Sequence, residues 1–152
     1  MPPQHTITLR VRYSETDQMG TYYNSRVLEW FECARSELLR SLGRPYREME
    51  QQGLRMPVRE AHVEYQGKAR YDDELRVTAR LSMSGRARFR FDVEISQAAG
   101  GEPVCRGWTE HVTTDPQGKL LRPPQWLVEL IDSHPATNPR ADAEERFNTP
   151  PP

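Results

Sequence analysis

The feature that most restricts this chain is a double switch in its hydrophobic period. Between Thr6 and Tyr13, Ile7, Leu9, Val11 and Tyr13 fall on one face and Thr6, Thr8, Arg10 and Arg12 on the other. A period of two predicts a half-buried strand. From about Asn24 the period lengthens: Val27, Leu28, Trp30, Phe31, Ala34, Leu38, Leu39 and Leu42 recur at spacings of three and four. That spacing predicts a helix with a broad apolar face, roughly 27 Å long at about 1.5 Å per residue. Asn24 or Ser25 is placed to cap its start, and Gly43 followed by Pro45 to stop it. A shorter helix is expected from Pro45 to Gln52, ending at Gly53. After Pro57 the period returns to two, first through Ala61, Val63 and Tyr65. Leu75 to Met83, Phe89 to Ile95 and Val104 to Thr113 follow, separated by turn-forming Ser84-Gly85-Arg86, Ala99-Gly100-Gly101 and Asp115-Pro116-Gln117-Gly118. Three long strands joined in this way form an antiparallel meander. Trp126 to Ile131 fits either a short closing helix or an edge strand. One sheet face and one helix stripe must then bury each other, so the expected class is α+β.

Composition adds two expectations. The 152 residues suit one domain, yet only 36% are hydrophobic, fewer than an average globular domain carries. Either part of the chain is disordered or a subunit contact completes the core. Residues 134–152 are Pro-rich with one large apolar side chain, Phe147. Such a segment cannot bury enough apolar surface to offset its ordering entropy. The expected organisation is a domain over 1–133 and a disordered tail over 134–152. A formal net charge of -1 gives no support to a nucleic-acid partner. Apolar runs are too short to span a membrane, and the first ten residues lack the basic start and apolar stretch of a secretory signal. Cys33 and Cys105 match no metal or redox spacing, so reduced thiols in a cytoplasmic protein are expected.

No G-x-S-x-G, phosphate-binding Gly loop, H-E-x-x-H or C-x-x-C occurs. His5, His62, His111 and His134 are dispersed; His62 and His111 could meet across strands, but a solvated or hydrogen-bonded strand histidine is the simpler reading of each. No metal site is expected. The densest polar cluster, Arg12 to Asn24, joins the first strand to the start of the long helix. A helix start offers free N–H groups and partial positive charge to a polarised carbonyl or oxyanion. A carboxylate held nearby could attack a carbonyl or activate water. By themselves these residues slightly favour a plainer reading: a polar loop with an Asx turn at Asp17 and tyrosines packed as core.

The run RVRYSETDQMGTYYNSRVLEWFECARSELLRSLG resembles the opening of the hotdog-fold acyl-CoA thioesterases of the 4-hydroxybenzoyl-CoA thioesterase type, in their YbgC/FadM-like branch. The similarity continues through PVREAHVEYQGKARYDDELRV and, more weakly, SGRARFRFDVEI. Its specific elements are Asp17, Gly20 and Tyr23 at fixed spacing, the Trp30-Phe31-Glu32-x-Ala34-Arg35 helix, and Tyr71-Asp72-Asp73. The resemblance implies a hotdog fold, an antiparallel sheet wrapped around one long central helix. It implies a homodimer or homotetramer, with two subunits pairing into a continuous sheet and active sites at their interface. The thin core would then be completed by assembly. It further implies hydrolysis of an acyl-CoA thioester without metal or cofactor. Asp17 would be nucleophile or general base, the backbone N–H of Asn24 would polarise the carbonyl, and Tyr23 lies beside it. Gly20 would let the backbone approach the substrate. Many relatives of this branch carry His where this chain has Asn24; the backbone donor survives that change, but a side-chain acid–base role does not.

Coenzyme A carries phosphates, which call for cations and backbone N–H groups near a turn. The resemblance places part of that contact on the loop of Ser84, Gly85, Arg86 and Arg88, where the arginines share a face if the strand has already begun. Lys68 and Arg70 are weaker candidates, and solvated strand arginines are an equal alternative. Among the other acids, Glu32 is expected to pair with Arg35 or Ser36 on the helix surface, and Glu15 to support the loop. Tyr71-Asp72-Asp73 is expected to shape the start of a strand. Met19, Tyr22, Tyr23, Met56 and Val58 are expected to set the depth of the acyl pocket. Two rival functions are a non-catalytic acyl-CoA or acyl-carrier-protein binding module, which has no need of Asp17, and a hotdog dehydratase, which needs a catalytic His paired with an acid.

Overall fold

In a computed structural model of the chain, residues 2–133 are described; the tail expected over 134–152 lies outside them. Strand β1 (Gln4–Arg10) leads through two 3-10 turns into α1 (Val27–Ser41) and then α2 (Tyr46–Gln51). Strand β2 (Val58–Tyr65) follows, and then the three-strand meander of β3 (Glu74–Met83), β4 (Phe89–Gln97) and β5 (Pro103–His111). A ribbon of β6 (Thr113–Thr114) and β7 (Leu120–Leu121) precedes α3 (Gln125–Asp132), so the closing apolar stretch is a helix. The main sheet has five antiparallel strands in the order β1-β3-β4-β5-β2.

Register explains the core. Ile7 pairs with Val77 and Val77 with Ile95; Ala79 pairs with Val93, and Val93 with Gly107. These residues share one sheet face because side chains alternate along each strand. Helix α1 buries Val27, Trp30, Phe31, Ala34, Leu38 and Leu39, and its main strand neighbours are β1 and β3. Leu28, expected on the apolar face, is 43% exposed, so the stripe is narrower than its sequence pattern. Phe31 seats on Gly107: a Cβ there would meet the Phe31 ring at 3.1 Å and collide with the His62 carbonyl oxygen.

The opposite face is a polar lattice. It carries Arg10–Glu74, Arg80–Glu94, Arg90–Asp92 and Arg106–Glu64 ion pairs, with Arg90 stacked on Trp108. Several of the strand arginines are therefore neutralised by acids on neighbouring positions, and such surface pairs contribute little stability.

Two boundaries differ from expectation. β1 stops at Arg10, not Tyr13, because the Val11 N–H bonds the Asp73 carbonyl and its C=O accepts from Asp72. Tyr13 turns into a 3-10 helix and is 79% exposed. The α-helix begins at Val27 behind a 3-10 turn, Asn24–Arg26, capped by the backbone of Tyr23 without any side-chain bond. The expected Asn24 or Ser25 side-chain cap is absent because both residues are inside that turn. Gly43, at φ 74, does end the helix. Strand β2 forms, but as a sheet edge, mostly exposed and without the one-sided burial its alternation predicted, with Val58 at 45% and Tyr65 at 51%.

His111 is buried between Phe89 and Phe91. One ring nitrogen meets the Thr109 hydroxyl at 2.8 Å and the other the Met56 carbonyl at 3.0 Å. Burial lowers its pKa from 6.5 to about 4, against the raising effect of the Met56 bond. The unfolded chain therefore takes up a proton first as pH falls below 6.5. Stability from this group is whole above that pH and declines by up to about 3 kcal/mol on the way to pH 4. Urea midpoints at pH 7 and pH 4.5 should differ less in His111→Gln than in wild type. Gly107→Ala should cost about 1–3 kcal/mol by overpacking beneath Phe31, read by the same denaturation.

Candidate active site

The Arg12–Asn24 segment is an irregular hairpin pinned from below by one acid. Glu15 is 2% exposed. Its carboxylate accepts the Arg12 backbone N–H at 2.7 Å and the Trp30 indole N–H at 2.8 Å. The hairpin legs are joined by Tyr23 N–H to the Glu15 carbonyl at 2.7 Å, a Thr16–Tyr22 bridge, and Asp17 N–H to the Thr21 carbonyl at 2.9 Å. The second leg docks onto the loop before β3 through Tyr22 N–H to the Ala69 carbonyl at 2.8 Å. Tyr22 stacks between Trp30 and Tyr65, and burial raises its pKa, so its phenol stays protonated.

Asp17 stands at the hairpin tip, half-buried. Its Oδ1 accepts the Met19 N–H at 2.8 Å, the Asx turn that its sequence allowed. Oδ2 has no hydrogen bond within the described residues. Gly20 closes the turn, its N–H on the Asp17 carbonyl at 3.0 Å, with φ 77. No atom lies within 4 Å of the place a Cβ would take. Within one chain, then, the turn requires Gly20 for its left-handed backbone, not for a close approach.

Helix-start donors face the same hairpin. Arg26 N–H is already bonded to Tyr23. The N–H groups of Asn24 and Ser25, first in the turn, have no acceptor among the described residues. Asn24 was expected in this role; Ser25 was missed because it was read as a cap. The Asn24 carbonyl accepts the Tyr65 hydroxyl at 3.1 Å, tying the end of β2 to the site. Thr21 is opposite Asp17, and Asn24 is three residues further along the same leg.

The expected phosphate contacts are elsewhere. Ser84 to Arg88 form the β3–β4 hairpin, at the other end of the sheet, about 30 Å away along β3. Ser84 Oγ is buried without a partner, Gly85 has φ 145, and Arg86 is exposed. Arg88 is bonded to Glu110 at 2.9 Å, which raises its pKa, and is 3.7 Å from Glu60. β4 begins only at Phe89, so the shared strand face expected for the two arginines does not form. Lys68 and Arg70 flank Ala69 and are at the Asp17 end. Asp73 accepts the Arg70 N–H at 2.9 Å and Asp72 is left-handed at φ 70, shaping the start of β3 as expected.

Other reactive groups are separated from this site. His62 pairs with Trp108 and stacks on it, while His111 pairs with Val58, so the two histidines do not meet. Burial raises the Cys105 thiol to about 12 and also raises Cys33. Among the described residues no group of three metal-ligating side chains occurs, and no helix is long and apolar enough to cross a membrane. Glu32 and Arg35 form no ion pair within 4.0 Å; both line a cavity of about 270 Å³ beneath α1, with Met56 and Val58.

The fold is that of a known group. A family model described as the thioesterase-like superfamily matches residues 11–131, and the chain belongs to that superfamily, with its hotdog fold. YneP of Bacillus subtilis, provisionally named an acyl-CoA thioesterase, is 29% identical over 128 residues, 84% of this chain and 91% of its own. The acyl-CoA thioesterase YbgC of Haemophilus influenzae is 37% identical over 75 residues, 49% of this chain and 55% of its own. The crystal structure of a 1,4-dihydroxy-2-naphthoyl-CoA thioesterase from Synechocystis superposes with a TM-score of 0.78 at 26% identity, covering 87% of this chain and 99% of that one.

The Glu15 carboxylate is the support on which hairpin and helix start depend. Glu15→Ala should cost about 1–3 kcal/mol by orphaning the buried Trp30 indole N–H and the part-buried Arg12 N–H, and should change Trp30 fluorescence in the folded state.

Proposed function

We propose that this protein hydrolyses acyl-CoA thioesters, releasing a carboxylic acid and coenzyme A. The observation that carries the reading is one carboxylate oxygen of Asp17 left uncommitted on a hairpin shared with the unsatisfied N–H groups of Asn24 and Ser25. A thioester carbonyl oxygen received by those donors would have its developing negative charge stabilised at a helix start. Asp17 then either attacks the acyl carbon, expelling the CoA thiolate and leaving a mixed anhydride for water to cleave, or takes a proton from an attacking water. Tyr23, 49% exposed, flanks the donors. A dehydratase reading finds no support in His111, whose two nitrogens are both engaged.

The site is completed by a second copy. What supports pairing is β2, an eight-residue edge strand with both faces largely exposed, together with the thin apolar supply. Two β2 strands paired antiparallel about a two-fold axis join the two sheets and cover the β2 edge of each. Such pairing reverses the strand: Val58 of the second copy comes beside Tyr65 of the first. It also turns the Ser84–Arg88 hairpin of the second copy toward the first copy's Asp17, with Arg86 the better placed of its arginines to meet a CoA phosphate. The protein functions in the cytoplasm, where its thiols stay reduced and acyl-CoA is at hand.

Thiol release from an acyl-CoA panel should fall about 10²–10⁴-fold in Asp17→Asn, a change that keeps the acceptor for Met19 and so the turn. Equal rates would remove Asp17 from the chemistry. Light scattering should give at least twice the 17.7 kDa chain mass, and a monomeric active enzyme would exclude the shared site.

A further inference from the structure

The cavity beneath α1 has an unusual floor and ceiling. Arg35 lines it, is half-buried, and makes no hydrogen bond or ion pair with any described residue. Burial lowers its pKa, with the charge of Glu32 the largest opposing influence. Its positive charge in turn depresses His111, a lining residue of the same cavity, so the guanidinium is felt inside it. Tyr46 presents a hydroxyl that accepts the Met56 N–H at 3.2 Å, leaving its own proton to donate. Ser36 adds a second hydroxyl, and Leu39, Met56, Val58 and Phe91 supply apolar wall. Glu32, exposed, is the acid lining this space, and it is too far from Arg35 to form an ion pair. A cavity whose lining combines this apolar wall with a cation and two hydroxyls suits a carboxylate on an apolar stem.

Position connects this cavity to the thioester site. Val58 both lines the cavity and opens β2, while Tyr65, at the other end of β2, is bonded to Asn24. In one chain about 23 Å of strand separates them; with two β2 strands antiparallel, the cavity of one copy opens beside Asp17 of the other. We propose that this cavity receives the far end of the acyl group and that Arg35 makes the enzyme selective for acyl-CoAs ending in a carboxylate. This rests on the thioesterase reading and on pairing along β2.

The test compares thiol release from size-matched pairs: adipoyl-CoA against heptanoyl-CoA, and 4-carboxybenzoyl-CoA against 4-methylbenzoyl-CoA. Wild type should favour the carboxylated member about 30-fold or more in kcat/KM, mainly through KM. Arg35→Gln should bring that ratio close to one, and Arg35→Lys should keep part of it. Glu32→Gln, by removing the competing acid, should raise it. A wild type that prefers the neutral members, or an Arg35→Gln variant that retains the preference, overturns the assignment of Arg35 and leaves the thioesterase reading standing. Release of thiol from no member overturns both. Should Arg35→Gln fail to fold, seen by circular dichroism, the wild-type ratio and the Lys variant decide alone.

Discussion

The contact between the Trp30 indole and the Glu15 carboxylate underlies the rest of the arrangement. Trp30 is a core residue of the long helix, 2% exposed, and Glu15 belongs to a surface-bound loop, yet they meet at 2.8 Å. A buried carboxylate is costly unless its oxygens are occupied, and here indole and backbone N–H groups occupy them. The same acid therefore fixes the height of the hairpin above the helix. Asp17 at the tip and the free donors at the base inherit that geometry. The functional hairpin is held by the protein core, not by its own turn.

A second constraint is the closeness of helix and sheet at Gly107, under Phe31. The Phe31 ring reaches β5 at Gly107, and β5 is largely buried while β2 beyond it is left exposed. Packing thus divides the sheet into a covered part and a bare edge. Val58 and Tyr65 stand exposed at the two ends of that edge.

Much of this was legible in the chain. The change of period at Asn24 and again at Pro57 marked helix and strands because each element has one buried face. Turn residues at 84–86 and 99–101 marked the meander. The role proposed for the hairpin rests on resemblance, since its residues alone fit a plain Asx turn, which Asp17 does form. Other features depend on pairings between distant positions. Ala61, Val63 and Tyr65 alternate like a half-buried strand, and nothing local distinguishes an edge from a centre. Arg88 meets Glu110 across the β4–β5 register, 22 residues away. Arg35 sits one position past buried Ala34, so spacing suggested a surface pair with Glu32; instead it lines a cavity with Tyr46 and Met56.

The separation of Asp17 from Arg35 by the length of β2 has a genetic consequence once two copies share their sites. A copy lacking Asp17 still offers its cavity, and a copy lacking Arg35 still offers its hairpin. Mixed together, two separately crippled chains would rebuild one complete centre in each hybrid pair, while the other centre carried both lesions. Alleles of this gene damaged at opposite ends of one strand would then complement each other, and alleles damaged at the same end would not.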